Sequence, residues 1–154
     1  MPIRIICLGK TRETWIKQGL AEYQKRLNRQ WQVQWQELKD ASLATEGSIE
    51  KVKNQEAQIL LKALPADAYV IALDEKGSRL TSLALAARLQ EVLDHTEAVF
   101  VIGGVYGLAE SIRTRADFVL SCSDLTFPHQ LIRLLLMEQI YRSYAICNGK
   151  TYHY

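Results

Sequence analysis

The sequence lacks the features that would cross-link a protein covalently or anchor it in a membrane. Its three cysteines (Cys7, Cys122 and Cys147) are odd in number, widely spaced and without a CxxC pair. We therefore expect no disulfide framework and no metal site. The purely apolar runs are short, as at 68–73 and 98–102, whereas a membrane-spanning helix needs roughly 20 apolar residues. With no signal-peptide pattern at its start, the chain is expected in a reducing cytoplasm, away from membranes.

The remaining composition is that of a single ordinary globular domain covering 1–154. Hydrophobic residues make up 48% of the 154 residues and charged residues 23%, and this length is typical of one domain with its own core. The formal net charge is only +2, but residues 1–30 carry seven Lys and Arg against two Glu, a local excess of +5. Such a basic face can follow nucleic-acid phosphates or can be a solvated helix surface, and both interpretations stay open.

Hydrophobic periodicity predicts strands that alternate with helices. Five short apolar or alternating runs indicate strands, at 3–8, 31–38, 68–73, 98–102 and 118–122. Apolar spacing near 3.6 residues indicates helices between and after them, at 13–28, 49–63, 81–93, 108–115 and 130–144. This order predicts an α/β fold with a mostly parallel sheet and helices on both faces.

Ligands of such sheets bind where the carboxyl ends of the strands meet. That rule selects three loops, 73–78, 103–107 and 123–128. Two phosphate motifs fail nearby. Gly9 precedes Lys10 and Thr11, but the glycine that a P-loop needs five residues earlier is absent. The GGxxG loop differs from the GxGxxG fingerprint and carries no lysine.

The 103–107 and 123–128 loops instead offer main-chain contacts. Gly104 and Gly107 let a ligand approach bare backbone, although a tight strand-to-helix turn explains this loop equally well. The 123–128 loop offers hydroxyls, one carboxylate and backbone groups, or is simply a helix-entry turn. Neither loop supplies positive charge, so a neutral or cationic nucleoside-like cofactor fits better than a phosphate.

Several motifs together resemble one known family. They are Gly103-Gly104-x-x-Gly107-Leu108, Ser121-x-Ser123-x-Leu125-Thr126-Phe127-Pro128-His129, Arg133, Glu138-Gln139-x-Tyr141-Arg142 and the terminal Tyr152-His153. On these residues the whole chain resembles the ribosomal RNA large subunit methyltransferase H family, of the SPOUT superfamily. The resemblance implies S-adenosyl-L-methionine as methyl donor and N3-methylation of a pseudouridine in 23S rRNA, in the hairpin that reaches the decoding centre. It also implies a homodimer and a SPOUT-type α/β knot, with a C-terminal trefoil.

The resemblance carries the cofactor site onto eight positions within the three selected loops. They are Leu73, Gly104, Ser123, Asp124, Leu125, Thr126, Phe127 and Pro128. This chain departs from the commoner pattern at Val105-Tyr106, where many relatives have a more polar or proline-containing pair. It also ends in Tyr154, where a basic residue often follows Tyr-His.

The terminal Tyr-His pair is the predicted catalytic pair. His153 is the candidate general base because an imidazole titrates near neutral pH, and its alternative is an exposed side chain. Tyr152 either contacts the target nucleotide or anchors the tail. His129 either caps the last helix or lines the pocket. Glu138 and Arg142, spaced i,i+4, either orient the tail or RNA, or form an ion pair at a dimer interface.

Charge and surface area together predict how RNA is held. The predicted phosphate contacts are Lys17, Lys25, Arg26, Arg29 and Arg142. One small domain offers little surface for reading a ribosome, so a homodimer with composite sites is expected. Two other classes stay open, namely an α/β enzyme that binds a nucleotide phosphate at the same loops, and a non-catalytic RNA- or ribosome-binding module.

Overall fold

The computed structural model describes residues 3–154 and contains one parallel sheet with the strand order β2-β1-β4-β3-β5. The strands are β1 (Ile3–Leu8), β2 (Val33–Leu38), β3 (Tyr69–Arg79), β4 (Ala98–Ile102) and β5 (Phe118–Ser121). The helices are α1 (Thr14–Arg26), α2 (Leu43–Glu46), α3 (Ile49–Ala63), α4 (Ser82–Leu93), α5 (Glu110–Arg115) and α6 (His129–Cys147). None of these helices combines the length and apolar character that crossing a membrane requires. The predicted α/β class is confirmed, and the trefoil knot stays a prediction.

Side chains of the central strands alternate between two hydrophobic layers. In β1, Ile3, Ile5 and Cys7 belong to one layer, whereas Ile6 and Leu8 belong to the other. Side chains from α4 and α6 and from the α1 region cover the first layer, and those of α3 and α5 cover the second. The sheet is therefore covered on both faces, as predicted, and this explains why its central strands are almost continuously apolar.

β3 continues through a segment whose composition predicts a turn. Leu73 and Ser78 both pair with Leu120 of β5, so residues 74–77 bulge out of the ladder before pairing resumes. Asp, Lys and Gly favour a change of direction, but pairing with a neighbouring strand overrides that local preference. The bulge leaves the 74–77 segment at the carboxyl edge of β4, beside the glycine-rich loop.

β2 begins at Val33, two residues after the predicted start. Trp31 instead ends a 3-10 turn (Arg29–Trp31), and its backbone N–H donates to Oδ1 of Asn28 at 3.2 Å. The indole is only 4% exposed, and its ring centroid lies 5.9 Å from that of Tyr144 in α6. Packing against α6, rather than sheet pairing, accounts for this tryptophan.

A fully buried arginine joins the first turns of α6 to the loop after β1. The Arg133 side chain is 0% exposed. One guanidinium nitrogen donates to Oγ1 of Thr11 at 2.9 Å, and another donates to the carbonyl oxygen of Leu8 at 2.9 Å. Glu37 adds a carboxylate oxygen 3.5 Å away. Because a buried cation needs acceptors and a compensating charge, this contact fixes the loop against α6.

Replacement of this arginine by methionine should destabilise the protein. Arg133→Met leaves the Leu8 carbonyl and the Thr11 hydroxyl without their buried donor, and we expect a loss of roughly 3 kcal/mol in the free energy of unfolding. Urea denaturation followed by circular dichroism measures this loss. Lys62→Met, at an exposed position of α3, is the control and should unfold like the wild type. Equal midpoints for the two variants would contradict the assignment.

Candidate active site

A cleft of about 540 Å³ opens at the carboxyl ends of β4 and β5, beside the 74–77 bulge that interrupts β3 after Leu73. Leu73 pairs with Ile102 on one side and with Leu120 on the other, so the three strands reach the edge at the same level. The loops that leave them therefore converge on one cavity, as expected for parallel strands. These are the three loops that the sequence selects, and their convergence is confirmed.

Seven of the eight positions predicted for the cofactor line this cleft. They are Leu73, Gly104, Ser123, Leu125, Thr126, Phe127 and Pro128. Asp124 is the exception, because its exposed carboxylate forms an ion pair with Arg79. The role of all eight in binding a cofactor stays a prediction.

The glycine-rich loop presents main chain to the cleft. The backbone N–H of Gly107, at φ +84°, donates to the carbonyl oxygen of Gly104 at 3.1 Å and closes a tight turn. A Cβ on Gly104 would lie 2.9 Å from both carboxylate oxygens of Glu56 in α3. A larger residue at this position would therefore have to displace either the loop or the carboxylate.

Glu56 is an unusual neighbour for a glycine loop. Its side chain is only 3% exposed. Oε2 accepts from the backbone N–H of Ala41 at 3.1 Å, while Oε1 has no partner among residues 3–154. Burial raises the pKa of this carboxyl, and the nearby Asp40 adds to the effect against the opposing Ala41 bond. The Glu56 carboxyl thus contacts two loops, since it accepts a hydrogen bond from Ala41 after β2 and lies against Gly104 after β4.

The 123–128 loop is held by its own hydroxyl groups. The Ser121 hydroxyl donates to the carbonyl oxygen of Ser123 at 3.1 Å, and Oγ of Ser123 accepts from the backbone N–H of Leu125 at 3.0 Å. Leu125 and Val105 of the glycine loop are 71% and 69% exposed. These two apolar side chains are thus exposed on two loops that line the same cleft, where they can cover a flat ring of a ligand.

The charged side chains that line the cleft are of both signs, and Lys53 and Lys76 have no ion-pair partner among residues 3–154. Arg113 is neutralised by Asp74 at 2.8 Å and Glu110 at 2.7 Å. Glu75 is exposed, and its carboxylate accepts from the Thr126 hydroxyl at 3.4 Å. Within residues 3–154, no group of three or more His, Cys, Asp or Glu side chains is placed to hold a metal ion.

Two further residues belong to the cleft. His129 lines it and begins α6 without forming a side-chain cap, so the pocket-lining alternative is confirmed. Burial, Arg133 and Arg12 lower the pKa of His129 against the opposing effect of Asp40, which favours a neutral imidazole at neutral pH. Lys53 of α3 also lines the cleft. Sequence reasoning missed Lys53 because α3 is far from the three loops along the chain.

The C-terminal tail folds onto the second half of α6. The Tyr152 hydroxyl donates to Oε1 of Glu138 at 3.2 Å, and Nε of Arg142 donates to the same oxygen at 3.0 Å. The rings of Tyr152 and Tyr141 meet edge to face at 4.7 Å. Burial, then Tyr23 and Glu138, raise the pKa of the Tyr152 phenol to about 12. Tyr152 therefore anchors the tail, which was one of its two predicted roles.

His153 is exposed but its ring is not free. Nη1 of Arg142 lies 3.0 Å from Nδ1 of His153. A guanidinium carries only donors, so Nδ1 must be the acceptor, and a neutral ring then holds its proton on Nε2. We call Glu138, Tyr141, Arg142, Tyr152 and His153 the tail cluster.

Helix α6 separates the tail cluster from the cleft of the same chain. His129 lies in the cleft, and Glu138 follows nine residues later, about 14 Å along the helix at roughly 1.5 Å per residue. Neither Tyr152 nor His153 is among the described residues that line the cleft. The predicted catalytic pair and the predicted cofactor loops are therefore not brought together within one chain.

Helix α1 runs beside α6 in the same direction, and most of its basic residues lie near the tail cluster. Arg26 forms an ion pair with Glu22 at 3.0 Å and stacks over the rings of Tyr23 and Tyr141. Three other basic residues, Lys17, Lys25 and Arg29, are exposed. None of the three has an ion-pair partner in the described part of the chain. Arg142 is already engaged by Glu138.

Comparison with known proteins decides the family. A family model described as "Predicted SPOUT methyltransferase" matches residues 1–153. A "Ribosomal RNA large subunit methyltransferase H" from Trichlorobacter lovleyi is 45% identical over 156 residues, covering 100% of both chains. The chain belongs to this family of SPOUT methyltransferases. The relative of the same name from Finegoldia magna is 43% identical and covers 99% of each chain.

Solved structures share the fold of this methyltransferase. A probable methylase family protein from Haemophilus influenzae superimposes with a TM-score of 0.60 at 12% identity, covering 99% of this chain and 70% of that one. A putative RNA methyltransferase from Bacillus anthracis gives a TM-score of 0.53 at 12% identity and covers 99% of both chains. At these identities the likeness supports the fold alone. The family resemblance predicted from the motifs is confirmed.

Addition of one methyl group to the glycine loop tests the geometry of the cleft. Gly104→Ala places a Cβ 2.9 Å from the Glu56 carboxylate, so the loop should shift and the affinity for S-adenosyl-L-methionine should fall roughly tenfold, as one strained contact of about 1.4 kcal/mol produces. Isothermal titration calorimetry measures the affinity. Removal of the carboxylate in Gly104→Ala/Glu56→Ala should recover part of the loss. An unchanged affinity in the single variant would contradict the close approach.

Proposed function

We propose that this chain transfers a methyl group from S-adenosyl-L-methionine to large-subunit ribosomal RNA, at N3 of a pseudouridine in the 23S rRNA hairpin that reaches the decoding centre. The observation that carries this proposal is the cleft formed by three convergent loops in a chain that matches a member of the family over 100% of that member's length. An enzyme that modifies ribosomes acts in the cytoplasm, and we propose that location.

The cleft suits the methyl donor in chemical terms. Its volume of about 540 Å³ is within the usual range for small-ligand sites. Bare main chain at Gly104 allows close approach, and Val105 and Leu125 provide apolar cover for a nucleoside ring. The exposed carboxylate of Glu75 lines the cavity and suits a cationic sulfonium, whereas Asp74 is already paired with Arg113. When bound, the donor supplies an already activated methyl group, so the proposed reaction needs no metal.

We propose that the working unit is a homodimer in which each cleft is completed by the tail cluster of the other protomer. Within one chain neither Tyr152 nor His153 lines the cleft, and of the tail cluster only Glu138 reaches the adjoining pocket that Ser123 and Phe127 also line. Apolar side chains remain uncovered on the α1–α6 layer. Trp15 of α1 is 55% exposed, and Leu131 of α6 is half-buried. A two-fold contact through this layer would cover them and bring both parts of the site together.

The tail cluster suggests how the N3 proton is removed. In the free chain Nδ1 of His153 accepts from Nη1 of Arg142, so the ring cannot act as a base there. Arg142 holds Glu138 through Nε and Nη2, so Nη1 is the guanidinium nitrogen that an RNA phosphate can engage in place of the imidazole. We propose that a phosphate bound to Nη1 displaces Nδ1 of His153, which then accepts the N3 proton while Tyr152 contacts the target nucleotide. Lys17, Lys25, Arg26 and Arg29 would hold neighbouring phosphates.

Methyl transfer to ribosomes that lack the modification tests the function. Tritiated S-adenosyl-L-methionine should label 23S rRNA, and primer extension should map the label to one pseudouridine of the decoding-centre hairpin. His153→Ala should lower the rate by roughly 100-fold or more, as expected for a general base. His95→Ala, at an exposed surface position, is the control. No label with wild-type protein would refute the enzyme and leave a non-catalytic ribosome-binding module.

Disruption of the α1–α6 layer tests the dimer. Trp15→Glu places a charge in the proposed interface, so the protein should become monomeric and should lose methyl transfer while it still binds the donor. Analytical ultracentrifugation and calorimetry measure the two properties. Leu61→Glu changes a partly exposed apolar residue of α3, on the opposite side of the sheet, and should remain dimeric and active. A monomeric wild type, or a dimeric Trp15→Glu, would contradict the proposal.

A further inference from the structure

Four cations without ion-pair partners among residues 3–154 lie in or beside the cleft, namely Lys76 in the 74–77 segment and three that α3 and the loop after β1 contribute. Lys53 lines the cavity from α3, and Lys10 and Arg12 are exposed on the loop that follows β1. Among residues 3–154, none of the three lies within salt-bridge distance of a carboxylate. We call these three residues the cleft rim. By contrast, Arg26 and Arg142 are already held by Glu22 and Glu138.

The loop that carries two of these cations is fixed at its backbone. The side chain of Gln130 accepts from the backbone N–H of Arg12 at 3.0 Å and donates to the carbonyl oxygen of Lys10 at 3.1 Å. Thr11 between them is buried, and its hydroxyl accepts from Arg133 at 2.9 Å. A ligand that binds Lys10 and Arg12 therefore has to order only the two side chains, not the loop.

The same loop lies next to the cleft. β1 and β4 are neighbours, with Cys7 paired to Ile102, so their following loops leave the sheet side by side. Gln130 directly follows the cleft-lining His129, and the charge of Arg12 contributes to the lowered pKa of that imidazole. The cleft rim is thus part of the same surface as the cofactor loops.

The proposed donor cannot pair with the whole cleft rim. S-adenosyl-L-methionine carries a sulfonium, an ammonium and a single carboxylate, so one donor can pair with at most one of the three cations. Nearby, Glu37 is occupied by the backbone N–H of Thr11 and by Arg133. The carboxylates of Glu13, Asp40 and Glu75 do not lie within salt-bridge distance of the cleft rim. A second, anionic ligand would pair with the remaining cations.

We infer that the cleft rim binds the phosphodiester groups that flank the target base, and so holds the RNA strand while the base enters the cleft. This inference rests on the proposed function. It places RNA contacts directly beside the cofactor loops of one chain, whereas the basic residues of α1 extend along that helix towards the tail cluster. Cations on a fixed loop beside a cavity suit a single RNA strand whose target base is unstacked and turned into that cavity.

The test compares a cleft-rim variant with a matched lysine on the same helix. The triple variant Lys10→Gln/Arg12→Gln/Lys53→Gln should bind modification-deficient ribosomes more weakly, by about tenfold at moderate KCl. The slope of log affinity against log[KCl] should be shallower by roughly 2, because each lost contact with a single-strand phosphate reduces that slope by about 0.7. Lys62→Gln, at the far end of α3, should match the wild type. Co-sedimentation with ribosomes measures binding, and calorimetry measures donor affinity, which should stay within about twofold.

Three results would overturn the inference. These are wild-type ribosome binding by the triple variant, an equal loss in Lys62→Gln, and a parallel fall in donor affinity, which would assign the cations to the cofactor instead. Binding and methyl transfer are measured on the same ribosomes. Wild-type protein that binds but transfers no methyl group would refute the proposed function alone, since the salt dependence of the triple variant would still test the cleft rim.

Discussion

The parallel direction of all five strands is the constraint on which the rest of this structure depends. Each strand delivers its following loop to one edge of the sheet, and the common level of Leu73, Ile102 and Leu120 makes three of those loops converge. Each helix must then carry the chain back to the opposite edge. The cofactor loops and the tail cluster are therefore divided between the two ends of α6, because α6 begins at the cleft and carries the cluster on its second half.

Helix α6 connects these parts through its own side chains. Its first turns contribute His129 to the cleft, and Gln130 and Arg133 fix the loop after β1. Its second half holds Tyr152 and His153 through Glu138 and Arg142. One helix thus sets the positions of the cleft loops, the cleft rim and the tail, and it carries the tail cluster away from the cleft of the same chain.

Periodicity and the alternation of strands with helices were sufficient to predict the α/β class and the three loops of the cleft, but not the order of the strands in the sheet. Local composition was a poorer guide where tertiary pairing decides, as in the 74–77 segment, which bulges and then rejoins β5. Lys53 lines the cleft because of the way α3 packs across the sheet. Local sequence patterns do not predict that packing. The sequence also did not indicate that His153 lies away from the cleft. A motif specifies residue types, but it does not specify which end of a helix or which protomer supplies them.

Mixing two inactive variants tests the composite site most directly. Gly104→Val should abolish donor binding, and His153→Ala should remove the proposed base, so each homodimer should be inactive. After the two are mixed in equal amounts and allowed to exchange subunits, heterodimers contain one intact cleft facing one intact tail. Methyl transfer to ribosomes should return to about a quarter of the wild-type rate, since half of the dimers then carry one working site of two. No recovery in a mixture that is shown to contain heterodimers would contradict the account.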